Sequence, residues 1–433
     1  MRSDAYTEAF VWVWLPGATA PVVAGRLYAD GDDLRFNYGQ SYLARPDALP
    51  LYLPELPLRA GVLPLPDGLS MPNCIRDAAP DAWGRRVILN RMFGTKGAGL
   101  DPLSLSELTF LLESGSDRIG ALDFQVSPTE YVPRNARNAS LEELLQAAEY
   151  VEKGIPLTPE LDQALRHGSS IGGARPKALI EGDGRKYVAK FSATNDLYHV
   201  VKAEFVAMRL ASLAGLDVAP VSLVRAAGKD VLLVERFDRM RTTNGWARKA
   251  MVSALTILGL DEMLARYASY TDLATRIRER FTHPKATLHE LFGRMVFNIL
   301  CSNTDDHARN HAAFWNGRQL TLTPAYDICP QARTGQEASQ AMRIHGNDNL
   351  SRLSTCLAVV EAFQLSTGKA IALIEAQMRT LAMHWDGVSA EAGLSPVDRN
   401  RLWGGQFLNP FAFADLEGKA TSLRQLADAI RGR

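Results

Sequence analysis

The sequence predicts an α+β fold in which short antiparallel strands fill the front of the chain and helices fill the back. Three observations carry this. Between Phe10 and Tyr38 the runs FVWVW, GRLYAD and LRFNY are separated by the turn dipeptides Pro16-Gly17 and Gly31-Asp32. Between Ala178 and Phe237 four more β-type runs recur, broken at Gly182-Asp183-Gly184 and Gly228-Lys229. Beyond residue 240 the periodicity changes: Leu288, Leu291, Phe292, Met295, Val296, Ile299 and Leu300 recur at helical spacing as one apolar stripe.

The totals describe an ordinary globular chain of 433 residues, 46% hydrophobic and 22% charged. Lys plus Arg equals Asp plus Glu at 48 each, which excludes a chain-wide basic field for nucleic acid. Cys74, Cys301, Cys329 and Cys356 form no C-x-x-C, so a zinc ribbon and a disulfide framework are not expected and a reducing cytoplasm is. No apolar run reaches the roughly 20 residues that span a bilayer. The run Ala9 to Pro16 is short and follows Asp4 and Glu8, so no signal peptide is expected.

In chain order, the Leu- and Pro-rich stretch Pro46 to Pro66 reads as extended and irregular, because each Pro removes a donor and restrains its predecessor. Asp81 to Phe93 reads as a helix whose Arg85 and Arg86 meet either phosphate or solvent. Leu105 to Leu112 is helical, and DRIGALDF (Asp117 to Phe124) turns into a strand. Thr129 to Asn138 reads as a linker, followed by a helix from Leu141 to Lys153 with Ser140 as N-cap and Glu143 at the capping-box position. The expected domains are residues 1–135, 136–240 and 241–433.

The chemistry is carried by two stretches. Gly168-Ser169-Ser170-Ile171-Gly172-Gly173-Ala174 is a loop of small residues whose backbone can approach phosphate closely, although it is no Walker motif. It leads to Val188-Ala189-Lys190-Phe191, which echoes the V-A-I-K strand of protein kinases, and then to a helix from Leu197 to Leu213 carrying Glu204, which would orient Lys190. In the second stretch, NTDDHARNH, Asp305 stands five residues before Asn310. That is the interval at which a kinase places its base and a magnesium-binding Asn carbonyl. A hairpin, His311 to Trp315 and Gln319 to Thr323 around Asn316-Gly317, delivers Asp327 as a second metal ligand, with Tyr-Asp-Ile in place of D-F-G. A bilobal protein-kinase-like fold with a mainly antiparallel β N-terminal domain and a helical C-terminal lobe follows.

With SIGGARPK, VAKF, VERFDR, NTDDHARNH and PAYD in this order behind DRIGALDF, the chain resembles the HipA-type serine/threonine kinases, toxins of bacterial HipBA toxin–antitoxin modules, over nearly its whole length. The resemblance implies ATP and Mg²⁺ as cofactors, Asp305 as catalytic residue and Asn310 and Asp327 as metal ligands. It also implies nucleotide binding through Ser170, Gly172, Gly173, Ala174 and Lys190, adenine contacts at Glu235 and Phe237, and inactivating autophosphorylation of Ser170. As partners it implies a helix-turn-helix antitoxin of HipB type, DNA only through that antitoxin, and a protein substrate such as an aminoacyl-tRNA synthetase.

Three other readings stand beside it. Asp306, four residues before Asn310, fits the spacing less well and is expected to pair with an Arg or cap a turn. His307 and His311, four apart, would with Asp305 and Asp327 make a zinc hydrolase, but position 308 is Ala rather than Glu, and His307 is expected to bond the loop backbone instead. A pseudokinase acting as co-repressor through a DNA-binding partner is the non-enzyme alternative. There Arg424, Arg431 and Arg433 would touch DNA; otherwise they form a solvated helix face.

Overall fold

The computed structural model describes residues 6–94, 105–134, 139–165, 170, 173–193, 196, 198–333, 335 and 337–432. They fall into two compact units, each assembled from separated stretches. The first comprises 1–195, 224–252 and 314–318; the second comprises 196–223, 253–313 and 319–433.

In the first unit, strands β1 (Glu8–Val13), β2 (Val22–Asp30) and β3 (Asp33–Tyr38) join β4 (Leu122–Gln125) in an antiparallel sheet of order β3-β2-β1-β4. Gly31, at φ +64°, makes the tight β2–β3 turn where a Cβ would be strained. A second sheet, of order β5-β6-β8-β7, holds β5 (Lys177–Gly182), β6 (Arg185–Phe191), β7 (Val221–Ala226) and β8 (Lys229–Glu235). The hairpin of β9 (Arg239–Thr242) and β10 (Gly245–Arg248), which the sequence did not announce, follows it.

The helix Leu141–Glu152 begins as its sequence predicts. Ser140 Oγ accepts from the Glu143 N–H at 3.2 Å and the Glu143 carboxylate accepts from the Ser140 N–H at 2.9 Å. Its Leu144, Leu145 and Ala148 pack with Trp83 and Val87 of the helix Ala82–Phe93 and with Phe191 and Val231 of the sheet. The units therefore do not follow the expected boundary at 135: Trp83 lies before it and is fully buried in a core built mostly from residues after it. The expected linker is anchored as far as it is described, with Arg134 donating to Ser114 O and to Asp123 at 2.8 and 2.9 Å. Residues 135–138 lie outside the described residues.

The tip of a late hairpin, residues 314–318, also belongs to this unit. Trp315 meets Tyr52 edge-on at 5.4 Å and its Nε1 donates to Pro50 O at 2.9 Å. This is also why the Pro-rich stretch can stay irregular: its carbonyls find side-chain donors rather than a ladder.

The second unit is helical. The predicted stripe lies in the helix Pro284–Leu300, and all seven of its residues are fully buried. The burial goes further round than the stripe, taking in Phe297, Arg294 and Asn298. Arg294 is satisfied there by Glu290 at 2.7 Å and Thr323 O at 2.9 Å. Helices Val200–Leu213, Tyr270–Arg280, Thr367–Glu391 and Thr421–Arg431 surround it in sequence. In the last helix Arg424 is exposed, as a solvated face expects, and donates to Phe413 O, while Arg431 is half-buried and donates to Leu408 O; Arg433 lies outside the described residues. Among the described residues no helix is long and apolar enough to cross a membrane.

Candidate active site

The expected site residues divide between the units. Ser170, Gly173, Ala174, Lys190, Glu235 and Phe237 stand in the first; Glu204, Asp305, Asn310 and Asp327 stand in the second. Gly172 lies outside the described residues.

In the second unit the buried helix Pro284–Leu300 ends at Cys301, and Ser302 takes a left-handed φ of +55° that turns the chain into the loop. Ser302 Oγ donates to Gln406 O at 2.6 Å, and Asn303 Nδ2 donates to Asn298 Oδ1 at 3.1 Å, so the loop entry is pinned twice. The two adjacent carboxylates then separate. Asp305 is exposed, whereas Asp306 is 2% exposed. Asp306 neither pairs with an Arg nor caps a turn, as the sequence reading expected. It accepts from the Tyr270 hydroxyl and lies 3.0 Å from His311 Nε2. Burial pushes its pKa upward, but His311 and these hydrogen bonds outweigh that and hold it below the ordinary Asp value.

A single 3₁₀ turn, Ala308–Asn310, closes the loop. Asn310 Nδ2 donates to the Asp305 backbone carbonyl at 3.2 Å, which commits the amide nitrogen and leaves Oδ1 as the end that accepts no hydrogen bond among the described residues. Tyr326 Oη donates to Arg309 O at 2.7 Å, and Ala325 bridges to Val218 through N–H to Asp217 O at 2.7 Å. These fix the segment before Asp327, which sits half-buried at φ +60°. Asp tolerates this region better than most residues.

His307 does not take the backbone-bonding role expected of it through Nδ1, which is buried without a hydrogen-bond partner. Among the described residues no three of His, Cys, Asp and Glu gather as a metal-holding group, so Asp305, His307, His311 and Asp327 do not form the zinc constellation. Tyr270 and Asn298 were missed by sequence reasoning; Tyr270 lies 36 residues from the Asp306 it serves, with no local motif to mark it.

In the first unit the glycine loop is held by the helix Ala82–Phe93. Gly173 N–H donates to Asp81 Oδ2 at 2.6 Å, Trp83 N–H donates to Gly173 O at 3.1 Å, and Trp83 Nε1 donates to Lys177 O at 3.0 Å. Gly173 has φ +101°, a conformation that strains any residue with a Cβ, and a Cβ there would also make Lys177 Nζ, 2.2 Å away, move. Its N–H, expected to face phosphate, is thus given to a carboxylate in this conformation. Arg86 is exposed, as a solvated helix face requires, and donates to Ala174 O, whereas Arg85 is half-buried and binds Glu107 through one nitrogen at 2.7 and 2.8 Å. Ser170 is 2% exposed.

Lys190 is half-buried and stands opposite Lys177 in the β5–β6 register. Glu235 pairs with Arg185 at 2.6 Å, and Phe237 meets Phe314 edge-on at 5.9 Å. Glu204, expected to orient Lys190, is buried in the other unit.

The flanking motifs DRIGALDF and VERFDR prove to be partners. Asp117 receives Arg236, Arg239 and Lys186 at 3.1, 2.8 and 2.7 Å, and Asp238 receives Arg236 and Arg239 at 2.8 and 2.7 Å and the Gly120 N–H at 2.8 Å. Burial alone would raise both carboxyls; the arginines hold Asp238 down at about 2 and Asp117 well below its ordinary value.

Family models match two parts of the chain, the HipA N-terminal domain over residues 13–125 and the HipA-like C-terminal domain over residues 169–385. Among curated proteins, the chain is 26% identical over 326 residues to a putative kinase Y4mE of Sinorhizobium fredii, covering 68% of this chain and 72% of that one. It is 27% identical over 184 residues to the serine/threonine-protein kinase toxin HipA of Shewanella oneidensis, covering 37% of this chain and 42% of the toxin. Among solved structures, it is similar to the Shewanella oneidensis HipA in a complex with HipB and operator DNA, with TM-score 0.67 at 20% identity over 98% of this chain and 95% of that one. At that identity the likeness shows the fold, which is the kinase-like α+β fold expected.

Proposed function

Because the chain belongs to the HipA family, we propose that it is an ATP- and Mg²⁺-dependent protein serine/threonine kinase acting as the toxin of a toxin–antitoxin pair. The observation that supports this most is the separation of the two loop carboxylates: Asp306 is spent on Tyr270 and His311, which leaves exposed Asp305 as the base. The donor set fits magnesium. Asn310 Oδ1 and the Asp327 carboxylate are hard oxygens of the kind Mg²⁺ takes, and the Asn310 amide is already turned by its bond to Asp305 O. When bound, the ion would neutralise the phosphate oxygens of ATP.

Asp305 orients a serine or threonine hydroxyl of the substrate. The hydroxyl oxygen forms a bond to the γ-phosphorus as the bond from that phosphorus to the β–γ bridging oxygen breaks. ADP leaves with the bonding pair, and the hydroxyl proton passes to the Asp305 carboxylate and on to water. Lys190 and the glycine loop are assigned to the nucleotide phosphates, and Glu235 and Phe237 to adenine. Ser170 is assigned as an autophosphorylation site; as its side chain is buried, modification requires that it become exposed. The partner is a helix-turn-helix antitoxin, by analogy with the HipB in the similar complex, and the substrate is a translation component such as an aminoacyl-tRNA synthetase.

The test is incubation with Mg²⁺ and γ-labelled ATP, alone and with cell extract. Asp305→Asn should cut labelling by roughly 10²–10⁴-fold with unchanged thermal stability. Labelling that survives Asp305→Asn removes Asp305 as the base. Nucleotide binding with no labelling at all in the unaltered protein favours the co-repressor reading.

A further inference from the structure

In the six-residue 3₁₀ segment Glu262–Tyr267 apolar bulk stands outside: none of its residues is buried. Met263 is 82% exposed, and Leu264 and Tyr267 are each 41% exposed. The guanidinium of Arg266 lies 5.0 Å from the centre of the Tyr267 ring and that of Arg343 lies 4.6 Å from it. Neither meets a carboxylate among the described residues; Arg266 donates to Tyr267 Oη at 3.2 Å and Arg343 to Gly346 O at 3.3 Å. Two uncompensated guanidiniums gathered on one aromatic ring make a receptor for carboxylates, since each offers a planar fork of donors. Exposed methionine beside them supplies an adaptable apolar contact, and Met, Tyr and Arg are the residue types that concentrate in the centres of protein interfaces.

The patch is tied to the loop that carries Asp305 from two directions. Glu262 binds Arg309 at 2.9 Å, one residue before Asn310. On the other side Ala341 N–H donates to Thr304 O at 2.9 Å, one residue before Asp305, and Arg343 N–H donates to Ala268 O at 2.9 Å, one residue after the 3₁₀ turn. The patch and the loop of Asp305 are thereby bonded to each other through their flanks.

We propose that this patch is the docking surface for the protein substrate, and that it takes a segment bearing Asp or Glu together with a Leu- or Met-type side chain near the accepting serine or threonine. The inference rests on the kinase reading above. Nucleic acid would use the two arginines but leaves the exposed methionine and leucine without a role.

The full-length protein, unaltered and as the triple variant Met263→Ser, Arg266→Gln, Arg343→Gln, is given three fluorescent probes. These are serine peptides flanked by Glu and Leu, the same peptides flanked by Lys and Ser, and a single-stranded RNA of similar length. Binding is read by anisotropy, and transfer from labelled ATP is read on the peptides. The acidic–apolar peptide should bind best and lose at least tenfold in affinity in the variant. Peptide KM should rise while kcat and nucleotide binding stay unchanged, as expected for loss of uniform binding. Equal affinity for both proteins, or preference for the basic peptide or the RNA, overturns the docking proposal. Variant-sensitive peptide binding with no label transfer in any arm upholds docking and overturns the kinase reading instead.

Discussion

Asp117 and Asp238 in the first unit are buried acids that each hold two or three cations, whereas in the second unit Asp305 and Asp306 are neighbours with opposite surroundings. The first pair and Asp306 have every visible oxygen committed to a partner and are kept ionised by positive charge; Asp305 is exposed and bordered by an Asn amide. Burial with full pairing marks a carboxylate that holds the fold; the exposed Asp305 is the one that the proposed function assigns to chemistry. Residue type and motif membership do not distinguish the two, since all four lie in stretches that look equally distinctive in the sequence.

The largest effect that can break this comparison is at Asp117. Asp117→Ala leaves Arg236 and Arg239 sharing Asp238 in the interior and Lys186 with only Glu181 at 3.6 Å, and should cost about 3–5 kcal/mol in urea unfolding. A cost under about 1 kcal/mol would mean that water replaces the carboxylate and that the cluster is not structural.

The acid limb of stability comes next. Asp238 is depressed from 3.8 to about 2, and Asp117 and Asp306 are depressed as well. A depressed carboxyl contributes stability that is fully present above its unfolded value and is lost as pH falls through its folded value. Melting temperature should therefore fall most steeply from about pH 4 toward about pH 2, and the Asp117→Ala protein should show a shallower fall. The smallest effect sharpens the contrast between neighbours: Asp306→Asn should cost about 2 kcal/mol through weakened bonds to Tyr270 and His311, while Asp305→Asn stays within about 0.5 kcal/mol.

What could be read from the sequence was what is written locally. The Ser140–Glu143 capping box, the strands flanking Gly31 and Gly184 and the buried stripe from Leu288 to Leu300 each depend on residues a few positions apart. The Asp305–Asn310 interval is legible for the same reason. What stayed hidden depends on distant partners. Asp81 looks like an ordinary helix cap, yet its carboxylate goes to Gly173, 92 residues away, rather than to its own helix. The meeting of Asp117 with Arg236 spans 119 residues, and Trp83 crosses the boundary that composition placed near 135. Spacing prefers Asp305 to Asp306, but the contrast in their surroundings depends on Tyr270, which carries no sequence signal.

The tip of the late hairpin has a consequence for how the molecule is made. Trp315 closes over Tyr52 and Pro50, a contact 265 residues apart in the chain, and residues 314–318 count among those of the first unit. A nascent chain emerging from the ribosome therefore cannot finish its first unit when its first sheets have appeared. It must wait until most of the second unit's apolar helix Pro284–Leu300 is already outside and searching for partners. Such an order favours slow, late assembly and gives chaperones a long exposed intermediate to hold.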